Sequence, residues 1–464
     1  MKNLVDAIKP EKKNLILDYD QVLEKAENLV TNTKIKKGER IGETTTGIPI
    51  EQYILGDGKY HIVIFGAMHG SEIISTDVVL RQMEELATNQ ELDLDELTIH
   101  FIPVLNPEGY IITTSALRTK IPRKMNNLEA EKISKEYWKA FREDDQEAIR
   151  INKIEDPEEK KNALAESRKK EKKHQHMFED ADYTCIPDKY SELKQRIKRF
   201  LEQKDKDGKY VLPRGAMIDW SANGNGVDIN ANSIHNPKIE KIRDIHNGKE
   251  GVEEVYNNLR YNNLSTLRPG PIGCPTKGSE YEKEPETEAI EQFLGKLNKT
   301  GNLCAYFNNH SSGGMLYSKI DVGEAHEFNE NAGMYEIYNS ALAEQYARFT
   351  GNKELKKARE FSKLKSYSGR DSEYEAYQIQ TGAKGHTSTN DMLRFLIPGD
   401  ILVENSKMGG NPSAPYGDLK GNYYKTVKRN IEALTKTIVK IPQAFETLKN
   451  QIRKEKEKKS IERD

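Results

Sequence analysis

A histidine and a glutamate three positions apart follow an apolar run near the start of the chain. The run YHIVIFGA (60–67) is rich in β-branched residues and predicts a strand, and MHGSE then places His69 and Glu72 within one turn. A second histidine, His310, lies in LCAYFNNHS (303–311), which also reads as a buried strand. Two histidines and one carboxylate, with a fourth position left for water, are the ligand set of catalytic zinc.

A further carboxylate, Glu404, lies in the predicted late strand DILVENS (400–406). Ligands of open α/β sheets bind at the carboxyl ends of the strands, where His69, Glu72 and His310 are also expected. A carboxylate beside a metal can accept a proton from water as a general base. The alternative interpretation of Glu404 is a surface carboxylate at a strand end.

The elements that must position these residues alternate along the chain, which predicts an α/β fold with an at least partly parallel sheet. Strands are predicted at 51–56, 60–67, 97–106, 303–311 and 400–406, and helices at 71–86, 284–297, 329–350 and 421–450.

The composition excludes several classes of protein. The chain of 464 residues has a formal net charge of -2, which is unlike a globally basic nucleic-acid-binding protein. No stretch approaches the roughly 18 uncharged apolar residues of a membrane helix. The N-terminus lacks the apolar segment of a secretory signal, and Cys185, Cys274 and Cys304 are too far apart for a disulfide framework. We therefore expect a cytoplasmic protein without a membrane or nucleic-acid partner.

About half of the residues between 121 and 210 are charged, with both signs interleaved. This pattern predicts a solvated helical insertion over 125–210 with ion pairs at i,i+4 spacing. The Lys-rich run 168–173 could contact nucleic acid, but its acidic neighbours favour a solvated face. His174 and His176 are expected at the surface. The insertion is also a candidate docking site for a protein partner.

Six motifs occur in one order along the chain: GAMHGSE, NPEGY, GVDINAN, EPET, NNHSSG and ILVEN. This series resembles the zinc metallocarboxypeptidases of the carboxypeptidase A-like family over roughly 42–440. The resemblance implies a mixed, largely parallel central sheet flanked by helices. It also implies one zinc ion per chain, bound by His69, Glu72 and His310, and hydrolysis of a peptide-type amide bond in a peptide or peptide-like substrate.

The same resemblance divides the chain into parts. It assigns the catalytic domain to 1–124 and 211–450, leaving 125–210 as the charged helical insertion and 451–464 as a charged C-terminal tail.

The resemblance also implies roles for single residues. Glu404 matches the general base that activates water, and Asn230 matches the asparagine that holds the terminal carboxylate of the substrate. Arg118 lies twelve residues after Asn106, where the family has a substrate-binding arginine. Arg123 is the nearest candidate for the arginine that polarises the scissile carbonyl. Its position in the sequence differs by two residues from the spacing of the family.

The chain departs from the family pattern at the carboxylate-binding end of the site. Ala231 follows Asn230 where the family has an arginine, and a methyl group cannot pair with a carboxylate. The segment STNDMLRF aligns Arg394 with a tyrosine that covers the substrate, so Arg394 is a candidate for the missing charge. A helix-capping or solvent-facing role is the alternative. Arg214, before the strand-like AMIDW, is a further candidate.

Three functions remain open at this point. The first is a zinc peptidase that acts on a peptide with an unusual C-terminal end. The second is a zinc amidohydrolase or deacylase of the same fold that acts on a small N-acyl substrate. The third is an inactive module that retains the metal and binds a partner. The intact ligand set and Glu404 argue against the third function.

Overall fold

The structure is a computed structural model. It describes residues 16–125, 172–204, 212–227, 284–310, 331–350, 400–404 and 422–462, with scattered positions between 129 and 163 and at 208, 210, 229, 316 and 317. Asn230, Ala231 and Arg394 lie outside the described residues, as does the side chain of Glu404.

The described secondary structure alternates between strands and helices, as the sequence predicts. The strands are β1 (Lys36–Lys37), β2 (Gly42–Glu43), β3 (Pro49–Ile50), β4 (Tyr53–Leu55), β5 (Tyr60–Phe65), β6 (Leu97–Ile102), β7 (Leu303–His310), β8 (Leu316–Tyr317) and β9 (Asp400–Glu404). The α-helices are α1 (Tyr19–Asn32), α2 (Ile73–Thr88), α3 (Pro107–Lys120), α4 (Lys173–His176), α5 (Ser191–Leu201), α6 (Pro285–Lys299), α7 (Ala332–Thr350), α8 (Asn422–Ile438) and α9 (Ile441–Ile461). None of the described helices combines the length and the apolarity needed to cross a membrane.

Seven of these strands form one mixed sheet in the order β1-β4-β6-β5-β7-β9-β8. The four central strands β6, β5, β7 and β9 are parallel to one another, whereas β4 and β8 pair antiparallel with β6 and β9 at the two sides, and β1 pairs antiparallel with β4. The predicted mixed, largely parallel sheet is therefore confirmed. Its central strands bring the residues that follow β5, β7 and β9 to the same edge.

The sheet is covered by apolar side chains on both faces, which explains why its central strands are mostly apolar. Ile62 and Ile64 of β5 belong to the larger core cluster, which includes side chains of α1, α2 and α3. Val63 and Phe65, which alternate with them, belong to a second cluster with α6. Burial on both faces fixes the register of β5, because a shift by one residue would exchange its two faces.

Two local predictions were wrong. The predicted single helix over 421–450 is two helices, α8 and α9. Pro442 lies in the first turn of α9, where its missing N–H is harmless, but its ring prevents a continuous helix from passing through. The strand-like AMIDW is instead a 3₁₀ helix over Ala216–Asp219, which follows Gly215 at φ 72°.

The charged segment 125–210 contributes side chains to the main core rather than only to solvent. Phe178, Leu193 and Ile197 are buried in the same cluster as the central strands. Phe200 packs edge-to-face on the fully buried Trp220, with ring centroids 5.8 Å apart. The described part of this segment therefore covers one side of the core with apolar residues.

His174 is buried, which corrects the prediction that it lies at the surface. Its Nε2 is 2.7 Å from Oδ2 of Asp219, and Tyr137 donates to the other oxygen of this carboxylate at 3.0 Å. Burial opposes the ionisation of Asp219, but the charge of His174 outweighs it, and the pKa of Asp219 is lowered. This buried pair ties the charged segment to the turn before Trp220.

Candidate metal centre

His69, Glu72 and His310 converge at the carboxyl ends of the central strands. His69 follows β5, Glu72 precedes the first residue of α2, and His310 is the last residue of β7. All three are buried, and their candidate ligand atoms lie within 4.8 Å of one another. The ligand set predicted from the sequence therefore comes together in space.

Glu72 lies between the two imidazoles. Its Oε1 is 2.8 Å from Nδ1 of His69, and its Oε2 is 2.9 Å from Nδ1 of His310. Burial raises the pKa of Glu72, but the charges of His69 and His310 and their hydrogen bonds outweigh burial and lower it to about 2. Two imidazole nitrogens around an ionised carboxylate are the donors that zinc prefers, so the chemistry of the set fits this metal.

The turn that carries His69 is strained. Ala67 has φ 48°, the left-handed conformation, and among the described residues it is the non-glycine residue with positive φ. That conformation costs about 1–2 kcal/mol for a residue with a Cβ atom. Ala67 donates its N–H to Oγ of Ser75 at 2.8 Å, and Ser75 in turn donates to the carbonyl of Glu72 at 2.6 Å. These bonds join the two ends of the His69–Glu72 turn.

Glu404 lies next to His310 in the backbone. In the parallel pair of β7 and β9, Glu404 is the register partner of His310. The sequence predicts both residues at strand ends, and the structure adds that the two strands are neighbours. The general-base role of Glu404 stays a prediction.

Arg118 and Arg123 both contact the N-terminal cap of α1. Arg118 donates to Oε1 of Gln21 at 2.8 Å and to the carbonyl of Ile16, and its Nη2 is 3.8 Å from Oδ2 of Asp18. Arg123 reaches the same Asp18 oxygen with Nε at 2.7 Å and Nη2 at 2.5 Å. In this structure both arginines therefore pair with the residue that caps α1.

Arg214 is exposed, at the turn before Gly215. A substrate-binding role for it stays a prediction. The same applies to Asn230 and Arg394, which lie outside the described residues.

Asn106 is a residue of the site to which the sequence analysis assigned no role. It is fully buried, ends the segment after β6 and caps α3 by accepting from the N–H of Gly109 at 2.9 Å. The signal for its role is the Asn-Pro pair at a helix start, because asparagine is a favoured N-cap and proline a favoured first helical residue.

A second group of carboxylates lies near the start of α3. Glu108 accepts from the N–H groups of Thr46 at 2.8 Å and Gly224 at 2.6 Å. Glu286 is fully buried and shares the side-chain amide of Asn223 with Glu284. Burial, followed by the charges of Glu108 and Glu284, raises the pKa of Glu286 well above its ordinary value. Glu286 is thus held in a site that favours its neutral form.

Comparison with known proteins gives one family match. Residues 26–153 match the family model described as zinc carboxypeptidase. This range includes His69 and Glu72, whereas His310 and Glu404 lie beyond it. No curated protein matches the chain.

Solved carboxypeptidase structures align with most of the chain at low identity. Carboxypeptidase A from Helicoverpa armigera is 13% identical, with 91% of this chain and 74% of that chain covered and a TM-score of 0.41. Bovine thrombin-activatable fibrinolysis inhibitor, in complex with tick carboxypeptidase inhibitor, is 13% identical, with 93% and 96% covered and a TM-score of 0.42.

The resemblance read from the motifs and the family match point to the same proteins. The matched segment carries two of the three buried ligands, and the third lies within hydrogen-bonding distance of one of them. The match over 26–153 therefore confirms that this chain resembles the zinc carboxypeptidases, a family whose metal is the one that the His69–Glu72–His310 donor set fits.

Proposed function

We propose that this chain is a zinc-dependent hydrolase of a peptide-type amide bond, with one zinc ion per chain. The observation that carries the proposal is the buried convergence of His69, Glu72 and His310 at the carboxyl edge of the central strands. When bound, zinc polarises a substrate carbonyl and lowers the pKa of water to about 7. The substrate is a peptide or a peptide-like molecule.

Glu404 acts as the general base in this proposal. It takes a proton from the attacking water and passes it to the departing amine, a contribution of typically 10²–10⁴-fold. Its support is the backbone register, since Glu404 is paired with the ligand His310 on the neighbouring strand. A general base must lie beside the metal-bound water to accept its proton. Pairing of Glu404 with the ligand His310 places its backbone next to the proposed metal site.

Arg123 stabilises the oxyanion that develops on the scissile carbonyl. Its side chain is 57% exposed and is paired with Asp18, so this role requires Arg123 to leave Asp18 when substrate binds. Asn230, Arg118 and Arg394 bind the substrate. Arg394 supplies the positive charge that the family's arginine would provide at the position of Ala231. It is therefore the residue that would bind a terminal carboxylate.

A small N-acyl substrate is the second candidate, and Ala231 is the observation that favours it. Without an arginine after Asn230, the site has lost the bidentate partner of a free C-terminus. A deacylase needs no such partner. The segment 125–210 is a proposed docking site for a protein partner in either case.

The first experiment measures zinc content. We expect close to one zinc per chain in the purified protein and loss of zinc in His69→Ala and His310→Ala. His176→Ala is the matched control, because His176 is an exposed histidine of the charged segment. Equal zinc content in the wild type and both ligand variants would contradict the assignment.

The second experiment compares substrates. Peptides with free and amidated C-termini, and small N-acyl amines that have no carboxylate, are offered to the wild type and to Arg394→Ala. If Arg394 binds a carboxylate, its removal raises KM for free C-termini and leaves amidated peptides unchanged. Equal cleavage of free and amidated peptides by the wild type would exclude a carboxypeptidase that recognises a terminal carboxylate, and turnover of N-acyl amines alone would favour the deacylase.

A further inference from the structure

Asn106 connects three segments of the chain at the metal centre. Its backbone N–H donates to the carbonyl of Ala67 at 3.0 Å, two residues before the ligand His69. Its side-chain Oδ1 accepts from the N–H of Gly109 in the first turn of α3. An N-cap needs only the second of these bonds.

The side-chain nitrogen of Asn106 makes contacts that a helix cap does not require. Nδ2 lies 3.2 Å from the carbonyl oxygen of Met68, 3.1 Å from that of Ala222 and 3.4 Å from that of Ser221. Its two N–H groups are thus shared among three buried acceptors. Met68 directly precedes His69, so one of these acceptors belongs to the ligand-bearing turn.

Ser221 is joined to the same turn from the other side. The N–H of Gly70 donates to the carbonyl of Ser221 at 3.2 Å, and the hydroxyls of Ser71 and Ser221 are 2.9 Å apart. Gly70 and Ser71, the two residues between the ligands His69 and Glu72, are therefore bonded to the segment that Asn106 also holds. A shift of Ser221 would reach both Gly70 and Ser71.

The turn that carries His69, the first turn of α3 and the segment at Ala222 contact one another through main-chain atoms, with no side chain between them. A Cβ atom on Gly70 would lie 2.1 Å from the carbonyl carbon of Gly109, and one on Gly109 would lie 2.4 Å from the carbonyl oxygen of Ala222. Because the segments touch through main-chain atoms, a change at Asn106 cannot be absorbed by a side-chain rotation. It must move the turn that carries His69.

We propose that Asn106 is a positioning residue for zinc: its side-chain amide holds the strained Ala67–Met68 turn against α3 and Ser221, and thereby sets the affinity and geometry of the site. The inference rests on the proposed zinc centre. It adds that a residue which does not itself bind zinc helps to set the zinc affinity. Groups that orient metal ligands typically change metal affinity 10–100-fold when they are altered.

The test uses Asn106→Asp, which keeps the Oδ1 cap of α3 but replaces the donor with an oxygen facing three carbonyls. Tyr338→Phe is the matched control: it removes a buried hydrogen bond from Tyr338 to the carbonyl of Cys304, at the start of β7 and far along that strand from His310. Zinc affinity by chelator competition, the visible spectrum of the cobalt(II)-substituted protein, and thermal unfolding of the metal-free protein are measured for each.

We expect Asn106→Asp to weaken zinc binding about 10–100-fold and to alter the cobalt spectrum. Tyr338→Phe should lower the unfolding temperature of the metal-free protein while zinc affinity and the cobalt spectrum stay at wild-type values. If Asn106→Asp does not fold, Asn106→Ser, which keeps a cap and one shorter donor, should show a smaller loss of affinity. Wild-type zinc affinity and cobalt spectrum in either folded Asn106 variant would overturn the inference. Failure of the wild type to bind zinc would overturn the zinc centre itself, and the inference with it.

Discussion

At Glu404, a change of a single atom separates proton transfer from metal binding. Glu404→Gln keeps the size of the side chain but cannot accept a proton at neutral pH. We expect zinc content to remain at the wild-type level and turnover to fall on the order of 10²–10⁴-fold. Glu455→Gln, at an exposed position of α9, is the control that should change neither quantity. Near-normal turnover of Glu404→Gln would place the base at another residue.

A second change at the residue scale concerns Glu286, whose charge the fold disfavours. Its folded pKa is raised well above 4.5, so above pH 4.5 the folded state binds more protons than the unfolded state. Stability therefore falls as pH rises through this interval. Glu286→Gln removes the titrating group, and we expect a higher unfolding temperature than the wild type at pH 8.

The pH dependence makes this prediction specific. The advantage of Glu286→Gln should shrink as the pH is lowered towards 4.5, because the wild-type carboxyl is then protonated in the folded state and about half protonated in the unfolded state. Thermal unfolding of both proteins between pH 4.5 and 8 measures this difference. A difference that is constant over the range would show that charge at this position has no part in it.

At the scale of elements, deletion of most of the segment 125–210 tests whether the rest of the core folds without this segment. Replacement of about 130–200 by a short Gly/Ser linker would remove Phe178, Leu193 and Ile197 from the core and uncover Trp220. Loss of one large core side chain alone costs about 3–5 kcal/mol. We therefore expect the shortened chain to lose its cooperative unfolding transition and its bound zinc.

Removal of 455–464 is the control for that deletion, because the described side chains at this end of α9 are exposed. This truncation should leave the unfolding temperature and zinc content unchanged. A linker variant that unfolds cooperatively and retains zinc would show that the catalytic core is independent of the charged segment.

The sequence pattern could predict some of the strands and helices and not others. The central strands β5, β6 and β7 are mostly apolar and rich in β-branched or aromatic residues, so the sequence pattern alone predicts them as strands. Helix α3 was missed because it is buried on all sides from Pro107 to Leu117 and shows no amphipathic period. The two-residue strands β1, β2 and β3 are too short to form a pattern.

The residues of the candidate site could likewise be predicted only where a local sequence pattern marks them. His69 and Glu72 were found from local spacing, and His310 from its place after a strand. The pairing of Arg123 with Asp18 joins residues 105 positions apart, and no local pattern carries that information. The same holds for the amide of Asn106, whose acceptors at Ser221 and Ala222 are 115 and 116 positions away.

For the whole molecule, zinc should act as a ligand of the folded state. Because the ligands come together only in the fold, bound metal stabilises it by about 2.7 kcal/mol when free zinc is 100 times its Kd. We expect a chelator to lower the unfolding temperature of the wild type. The same treatment should leave His310→Ala unchanged, and an equal response of both proteins would contradict zinc binding at this site.

The separation of the metal ligands along the chain has a consequence for biosynthesis. Glu72 and His310 are 238 residues apart, a distance that a ribosome covers in roughly 10–50 s at about 5–20 residues per second. Over that interval the nascent chain carries the pair His69 and Glu72 without its third ligand. Strand β5 also waits for β7, its neighbour in the sheet, and so presents unpaired N–H and C=O groups to other chains. Metal capture and protection of this edge are therefore both late events, completed by the same strand.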